Sequence, residues 1–364
     1  AILVGTRPQP DGQGGFLLDT GINTGVLHVG TGESGRLAAL VAGGVAGRRV
    51  AVITDREVGA LHLEVLTRTL TEAGARVGTA TVDVADAAKS IDAVKTVVSL
   101  LTDASYGTAD LLVGLGGGSV LDTAGFTASL YRGGLPYIQL PTTLAAMAAV
   151  AASDTHLLSC CGVRDVLRVP ARPALTVVDP SYLRTLPKRQ FANGMAQIVR
   201  LAWLCDPGFL EELERDILTP AAPDAGNGAA VSVLSPDLLV PRAVRLAADA
   251  RRLDAALLRF CVQAGAVIEE HFRYMKYIPG EATALGMLAV TRSARLATLL
   301  AALGLPVRLE GVGSDTIGRK LLKAFSDSER SGGESSEVRI ATAEQPGNPE
   351  IRVVAQADAE TWFA

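Results

Sequence analysis

Histidine is almost missing: the 364 residues hold four, His28, His62, His156 and His271. Catalytic metal centres and general bases draw first on imidazole, so little of that chemistry is available here. Cysteine is equally scarce, with Cys160, Cys161, Cys205 and Cys261 the full set. None stands in CxxC spacing, and the adjacent pair cannot join distant segments, which excludes a disulfide scaffold and points to reduced thiols in a cytoplasmic protein. There is no surplus of positive charge: 34 Lys and Arg against 38 Asp and Glu give a net charge of -4. Nucleic acid is therefore not the expected partner, because phosphate backbones are held by excess Lys and Arg. Long apolar runs are absent too. The longest uncharged stretch, Gly133 to Ser153, is interrupted by Pro136, Gln139 and Pro141 and is no bilayer span. Ala1 to Pro8 lack the basic start and apolar run of a secretory leader, so a cytoplasmic location is expected. What is plentiful is apolar material, 48% of residues against 20% charged, enough for two packed cores.

From Gly25 to about Val178 short β-branched runs alternate with amphipathic stretches. RRVAVITD reads as strand, LHLEVLTRTLTEAG as helix, ARVGTATVD as strand, SIDAVKTVVSLLTDA as helix, and ADLLVGLGGGS as strand and loop. LPYIQLPTT adds a further strand and turn, and Gly74 sits where a helix C-terminal cap belongs. Alternation of this kind predicts a parallel sheet covered on both faces. After ALTVVDPSYLRTLP the texture changes to long helical patterns rich in Ala, Leu and Arg, which places an α/β domain at 1–178 and a helical domain at 179–364. Two polar stretches, Thr219 to Asp237 and Ser326 to Glu337, read as loops.

LLVGLGGGSVLDTAG sets Gly116, Gly117 and Gly118 between an apolar strand and a helix, with Asp122 four residues on. Two readings stand: a tight turn, or a loop whose glycines let the backbone approach a pyrophosphate at a helix N-terminus. Asp55, ending VAVITD, is either a ribose-binding acid or a helix N-cap.

GGGSVLDTAGFTASLYRGGLPYIQLPTTL and VVDPSYLRTLPKRQFANGMAQIVR resemble the dehydroquinate synthase family with its sugar phosphate cyclase relatives, colinearly from about Val26 to Val354. The resemblance implies an N-terminal Rossmann-like NAD-binding domain, a C-terminal all-α domain and a homodimer. It also implies an activity that couples NAD redox to phosphate elimination and ring closure on a phosphorylated sugar. Cofactor positions carry over: Asp55, then Asp86 and Lys89 for the family's Glu-x-x-Lys, then Gly116, Gly117, Gly118 and Asp122. Thr142 and Thr143 match its PTT turn, Thr185 and Leu186 its TLP segment, and Gln190 stands where that segment has Glu.

The metal positions do not carry over. Where the family places a ligand Glu and three His, this chain has Gln197, Val262, Ala266 and Pro279. An amide, two aliphatic side chains and a proline cannot make the three-ligand site of a Lewis-acid metal, so NAD without metal is expected. Substrate-side positions are rewritten as well, with Ala149 and Thr155 replacing an Asp and a Lys. Positive charge survives at Arg132, Arg164 and Arg200, which either clamp a substrate anion or are solvated surface arginines. No catalytic base stands out among Gln197, Arg200, Arg259, Gln263, Lys276 and Glu281. Three functions follow. The first is a metal-independent NAD enzyme of specialised metabolism acting on a polyol or sugar-phosphate-like substrate. The second is a non-catalytic NAD-binding homologue acting as a partner or regulatory subunit. The third is a metal-dependent cyclase with unconventional ligands.

Overall fold

Apolar β-branched runs bounded by glycine and aspartate become the sheet of the first of two units. The computed structural model describes residues 9–10, 16–17, 26–41, 43–83, 89–149, 155–219, 234–250, 253, 255–312, 316–321 and 337–355. The two units comprise residues 1–186 with 240–245, and 187–239 with 246–364.

The first unit contains strands β1 (Gln9–Pro10), β2 (Phe16–Leu17), β3 (Val26–Val29), β4 (Arg49–Asp55), β5 (Arg76–Val82), β6 (Leu111–Gly116), β7 (Tyr137–Pro141), β8 (Thr155–Cys160), β9 (Val163–Pro170) and β10 (Leu175–Val178). Its helices are α1 (Leu37–Leu40), α2 (Arg56–Val58), α3 (Glu64–Glu72), α4 (Ile91–Asp103), α5 (Gly118–Leu130) and α6 (Leu144–Ala149). Eight strands form one sheet in the order β1-β2-β3-β10-β7-β6-β4-β5, parallel from β3 to β5 with β1 and β2 antiparallel at the edge. All residues of β6, β7 and β10 are buried, as a parallel sheet covered on both faces requires. Ser90 caps α4 by accepting from the Ala93 amide, and Ala93, Val97 and Leu101 then fall on one stripe against Ile53 and Leu112. Burying Val97 and Leu101 completely stabilises this layer by about 1.5–3 kcal/mol each. Gly74 closes α3 at φ +89°, a conformation that costs glycine no steric strain.

Strands β8 and β9, which the alternation pattern does not announce, form a separate antiparallel ribbon. The first unit continues to Leu186 because the fully buried Asp179 ties its own segment to the loop after β3. Its carboxylate accepts from the amides of Gly32 and Ser34, the Ser34 hydroxyl and the Ser181 amide.

The second part of the chain carries α7 (Lys188–Cys205), α8 (Pro207–Leu218), α9 (Pro236–Ala250), α10 (Ala255–Leu258), α11 (Val262–His271), α12 (Pro279–Thr291) and α13 (Ala294–Ala302). Among the described residues it is helical as expected except for an antiparallel hairpin, β11 (Glu337–Thr342) with β12 (Glu350–Ala355). Helices α11 and α12 pack closely enough that a Cβ on Gly286 would lie 2.8 Å from the Cys261 carbonyl oxygen. The fully buried Trp203 donates its indole N–H to the Ala343 carbonyl at 2.7 Å. Most of the two polar stretches, residues 220–233 and 322–336, lies outside the described residues. Among the described residues no helix is long and apolar enough to cross a membrane.

Candidate active site

Strand order fixes where a ligand crevice opens. The chain leaves β4 toward β5 on one side and leaves β6 toward β7 on the other, so the winding reverses between β4 and β6. Doubly wound sheets bind ligands outside the carboxyl ends of the strands at that reversal. Thr54 pairs with Leu115, which sets Asp55 and Gly116 at neighbouring strand ends.

The three glycines there have different reasons to be glycine. A Cβ on Gly116 would meet Val120 Cβ at 2.7 Å, and one on Gly117 would sit 3.2 Å from Thr143 Cγ2. One on Gly118 would meet nothing within 4 Å. The first two serve packing and the third leaves backbone facing open space. Gly117 is the N-cap of α5 and gives it no side-chain hydrogen bond, so the first amides of a 13-residue helix are available to an anion. Thr143 is occupied, its hydroxyl capping α6 by accepting from the Ala146 amide. Thr142 is not: its amide bonds the Gly116 carbonyl, while its buried hydroxyl has no partner among the described residues. A buried unpaired hydroxyl beside a glycine loop can hydrogen-bond a polar ligand atom. Asp55 is the helix cap of its two readings, Oδ1 accepting from the Val58 amide at 2.8 Å at the start of α2. Asp86 lies outside the described residues.

Lys89 is buried, and its ammonium forms ion pairs with Asp122 Oδ2 at 2.7 Å and with Asp165 Oδ1 at 2.5 Å. His156 Nδ1 lies 3.3 Å from the other Asp122 oxygen, its ring is edge-on to Tyr137 at 5.3 Å, and its Nε2 has no partner among the described residues. The ring tip rests on Gly125, where a Cβ would come within 2.3 Å of Nε2. Two of the expected cofactor residues thus meet each other. Asp165 and His156 complete the centre, and no periodicity in the sequence signals either. Asp165 reaches it through a β-bulge in which Ser159 opposes Arg164, Asp165 and Val166.

Thr185 is exposed and bonds His62 Nε2 at 3.0 Å, and His62 stacks edge-on against Tyr182 at 4.8 Å. Burial lowers the His62 pKa from its ordinary value, against a smaller opposing effect of Asp179. His62 comes from a π-helical turn, Gly59–Leu63, inserted between α2 and α3. Leu186 follows Thr185 and is half-buried. Arg132, at φ +50°, is exposed and stacks on its neighbour Tyr131, 5.6 Å from the ring centre. Arg164 is half-buried on β9.

In the second unit Gln190 lies on α7, half-buried. Gln197 Nε2 donates to Thr283 Oγ1 at 3.2 Å, and its Oε1 accepts from Arg200 Nε at 3.2 Å. Arg200 also donates to the Leu258 carbonyl at 3.0 Å, and no carboxylate bonds it among the described residues. Burial lowers the pKa of its guanidinium and pushes the neighbouring thiols up, Cys261 well above the ordinary cysteine value and Cys205 to about 11. Val262 and Ala266 share an exposed face of α11, and Pro279 is exposed at the start of α12. The residues at the metal positions therefore do not fit a metal. Among the described residues no three His, Cys, Asp or Glu converge on one point. Glu281 is structural, accepting both guanidinium bonds of Arg189 at 2.7 and 2.8 Å and the Ile278 amide at 3.1 Å.

Residues 79–193 match the family model for the N-terminal part of 3-dehydroquinate synthase. The 3-dehydroquinate synthase of Latilactobacillus sakei is 31% identical over 274 residues, 71% of this chain and 74% of that one. The 2-epi-valiolone synthase of Actinosynnema mirum is 29% identical over 74% of this chain and 73% of its own. In fold the chain is similar to 2-epi-5-epi-valiolone synthase from Streptomyces hygroscopicus subsp. jinggangensis, solved with NAD+ and Zn2+, at TM-score 0.76 and 21% identity, covering 93% of this chain and 95% of that one. A 2-deoxy-scyllo-inosose synthase solved with carbaglucose-6-phosphate, NAD+ and Co2+ gives TM-score 0.74 at 15% identity, covering 93% and 96%. At 31% identity over 71% of its length to the Latilactobacillus sakei enzyme, and with residues 79–193 matching the family model, the chain belongs to the dehydroquinate synthase family.

Proposed function

We propose that this chain is an NAD-binding enzyme of the dehydroquinate synthase family that works without a metal, on a polyol or sugar-phosphate-like substrate of specialised metabolism, through redox and/or elimination–cyclisation. Two observations carry the reading: the glycine loop keeps open backbone and, among the described residues, an unpaired Thr142 hydroxyl, while Gln197 bonds Arg200 where the family has a ligand Glu. NAD, when bound, supplies the hydride acceptor and donor. The first amides of α5 hold its pyrophosphate, Asp55 takes a ribose hydroxyl, and the Thr142 hydroxyl bonds a further polar atom. On the substrate side Arg200, Arg132 and Arg164 are the cations for phosphate or carboxylate. Arg200 is half-buried and lacks a bonded carboxylate among the described residues, so an anionic oxygen would complete its charge balance. A guanidinium polarises a carbonyl oxygen less strongly than a divalent ion does, which favours substrates whose oxygens are already acidified. The protein is proposed to act in the cytoplasm as a homodimer, with small-molecule partners.

Elemental analysis of the purified protein, with mass spectrometry of what denaturation releases, tests the reading. NAD with no metal is the expected result, followed by turnover of a phosphorylated polyol. One tightly bound zinc or cobalt per chain after chelator dialysis would overturn it. A second reading, a non-catalytic NAD-binding partner subunit, is favoured by Lys89, whose charge is already taken up by Asp122 and Asp165. NAD bound without turnover of any phosphorylated polyol would select it.

A further inference from the structure

The tip of the β8–β9 ribbon carries the two adjacent cysteines. Cys161 and Gly162 form its two-residue turn, both in the left-handed region at φ +54° and +76°, the signature of the tight hairpin turn that matches strand twist. Glycine occupies the second position without strain, whereas Cys161 holds the first at a steric cost. This turn brings Cys160 Sγ and Cys161 Sγ to 3.5 Å, with Cys161 exposed and Cys160 half-buried. Their contact keeps the Cys160 thiol above the ordinary cysteine value.

The residue before this pair is a junction. The Ser159 amide donates to the Lys89 carbonyl at 3.1 Å, and its hydroxyl accepts from the Asp165 amide at 3.4 Å. Opposite it is the bulge that aims Asp165, at φ +55°, at the Lys89 ammonium. Only the Cys160–Val163 pair separates the turn from this bulge. Whatever moves Cys160 therefore pulls on Ser159 and on the segment that presents Asp165.

We propose that Cys160 and Cys161 are a reversible dithiol–disulfide pair, oxidised by a low-molecular-weight disulfide, and that closing the pair loosens the Lys89–Asp165 bridge. The Cys161 thiolate attacks one sulfur of the small disulfide, forming a mixed disulfide and releasing one thiolate. The Cys160 sulfur, its proton lost to solvent, then attacks the Cys161 sulfur and releases the second thiolate. The two protons given up by the cysteines end on the two released thiols, so one small disulfide is reduced as one protein disulfide forms. A bond of about 2.05 Å must replace the present sulfur contact, and neighbouring Cα atoms stand closer than disulfides prefer. The turn has to reshape, and the resulting bond belongs to the exposed, readily reduced class.

The test uses the full-length protein with oxidised glutathione, followed by peptide mass spectrometry and hydrogen–deuterium exchange. The expected product is the 160–161 peptide lighter by two hydrogens, restored by dithiothreitol, with amides at Lys89–Ser90 and Ser159–Asp165 exchanging about tenfold faster when oxidised. Cys161→Ser and Cys160→Ser should each abolish both changes, and the oxidised and reduced wild-type chain gives the comparison even if a variant folds badly. A stable glutathione adduct, a disulfide-linked pair of chains, or a closed pair with unchanged exchange would each overturn the proposal. Because none of these readouts uses metal content or turnover, the proposal stands or falls separately from the metal-free reading.

Discussion

Arg200 Nε donates to Gln197 Oε1 at 3.2 Å, and no carboxylate joins them among the described residues. A half-buried guanidinium satisfied only by neutral acceptors is a liability in the empty protein and an asset once an anion arrives. Arg200→Met should therefore raise the unfolding free energy of the ligand-free protein by about 1–2 kcal/mol while weakening phosphate-ester binding more than tenfold. Denaturant titration and calorimetry check the two halves. A variant that loses stability and keeps its anion affinity would refute this.

Gln197→Glu should not recover a metal site. The change restores one ligand, but Val262, Ala266 and Pro279 still offer none, and the new carboxylate pairs with Arg200 instead. Elemental analysis after zinc loading should read the same for variant and wild type. Stoichiometric zinc in the variant would contradict it.

The glycine loop separates packing from binding. Gly116→Ala forces a Cβ to within 2.7 Å of Val120 and should lower stability by about 1–3 kcal/mol. Gly118→Ala adds a methyl into open space at the first turn of α5, so thermal unfolding should be unchanged while NAD affinity falls. Equal affinities for Gly118→Ala and wild type would return the loop to a simple tight turn.

Gly125 and His156 should be coupled. Gly125→Ala brings a methyl within 2.3 Å of the imidazole and should destabilise by about 1–3 kcal/mol. In a Gly125→Ala/His156→Ala double variant the clash is gone, and a double-mutant cycle should return a coupling energy above about 0.5 kcal/mol. Strict additivity would show that the ring can move away freely.

Asp179 supplies the pH dependence. Burial works to raise its pKa, but hydrogen bonds from Ser181, Ser34 and Gly32 outweigh it and hold the carboxyl below its ordinary value of 3.8. A depressed carboxylate contributes stability that is present above its unfolded pKa and lost as pH falls through the folded one. Acid unfolding below about pH 4 should be shallower in Asp179→Asn than in wild type. That variant should also cost about 1–3 kcal/mol at neutral pH, since it loses a charged acceptor.

Local signals carried much of the fold. Strand β4 and the run that became β6 were legible because each is a bounded apolar stretch, and Gly74 marked the end of α3. The glycine loop was legible for the same reason, as glycine spacing is written in neighbouring residues. What stayed hidden depends on distant pairing. Nothing near Lys89 shows that Asp165 will meet it, because that contact needs a ribbon, a bulge and a left-handed residue at once. His156 looks isolated in sequence, and only folding lays it on Gly125 and beside Asp122. The hairpin β11–β12 escaped notice because each strand opens on a glutamate with an arginine two residues on, Glu337 and Arg339 in one, Glu350 and Arg352 in the other, so neither is a bounded apolar run.

The place of β3 in the sheet bears on the order of assembly. Its parallel partner is β10, where Val26 faces Leu175, whereas β4, β5, β6 and β7 find their neighbours close by along the chain. During synthesis the four later strands can collapse together early, but β3 must wait until residue 178 has left the ribosome. Strand β3 thus joins the parallel sheet only after β10 is made, and a ribosome paused before that point leaves the β7 edge exposed to other chains.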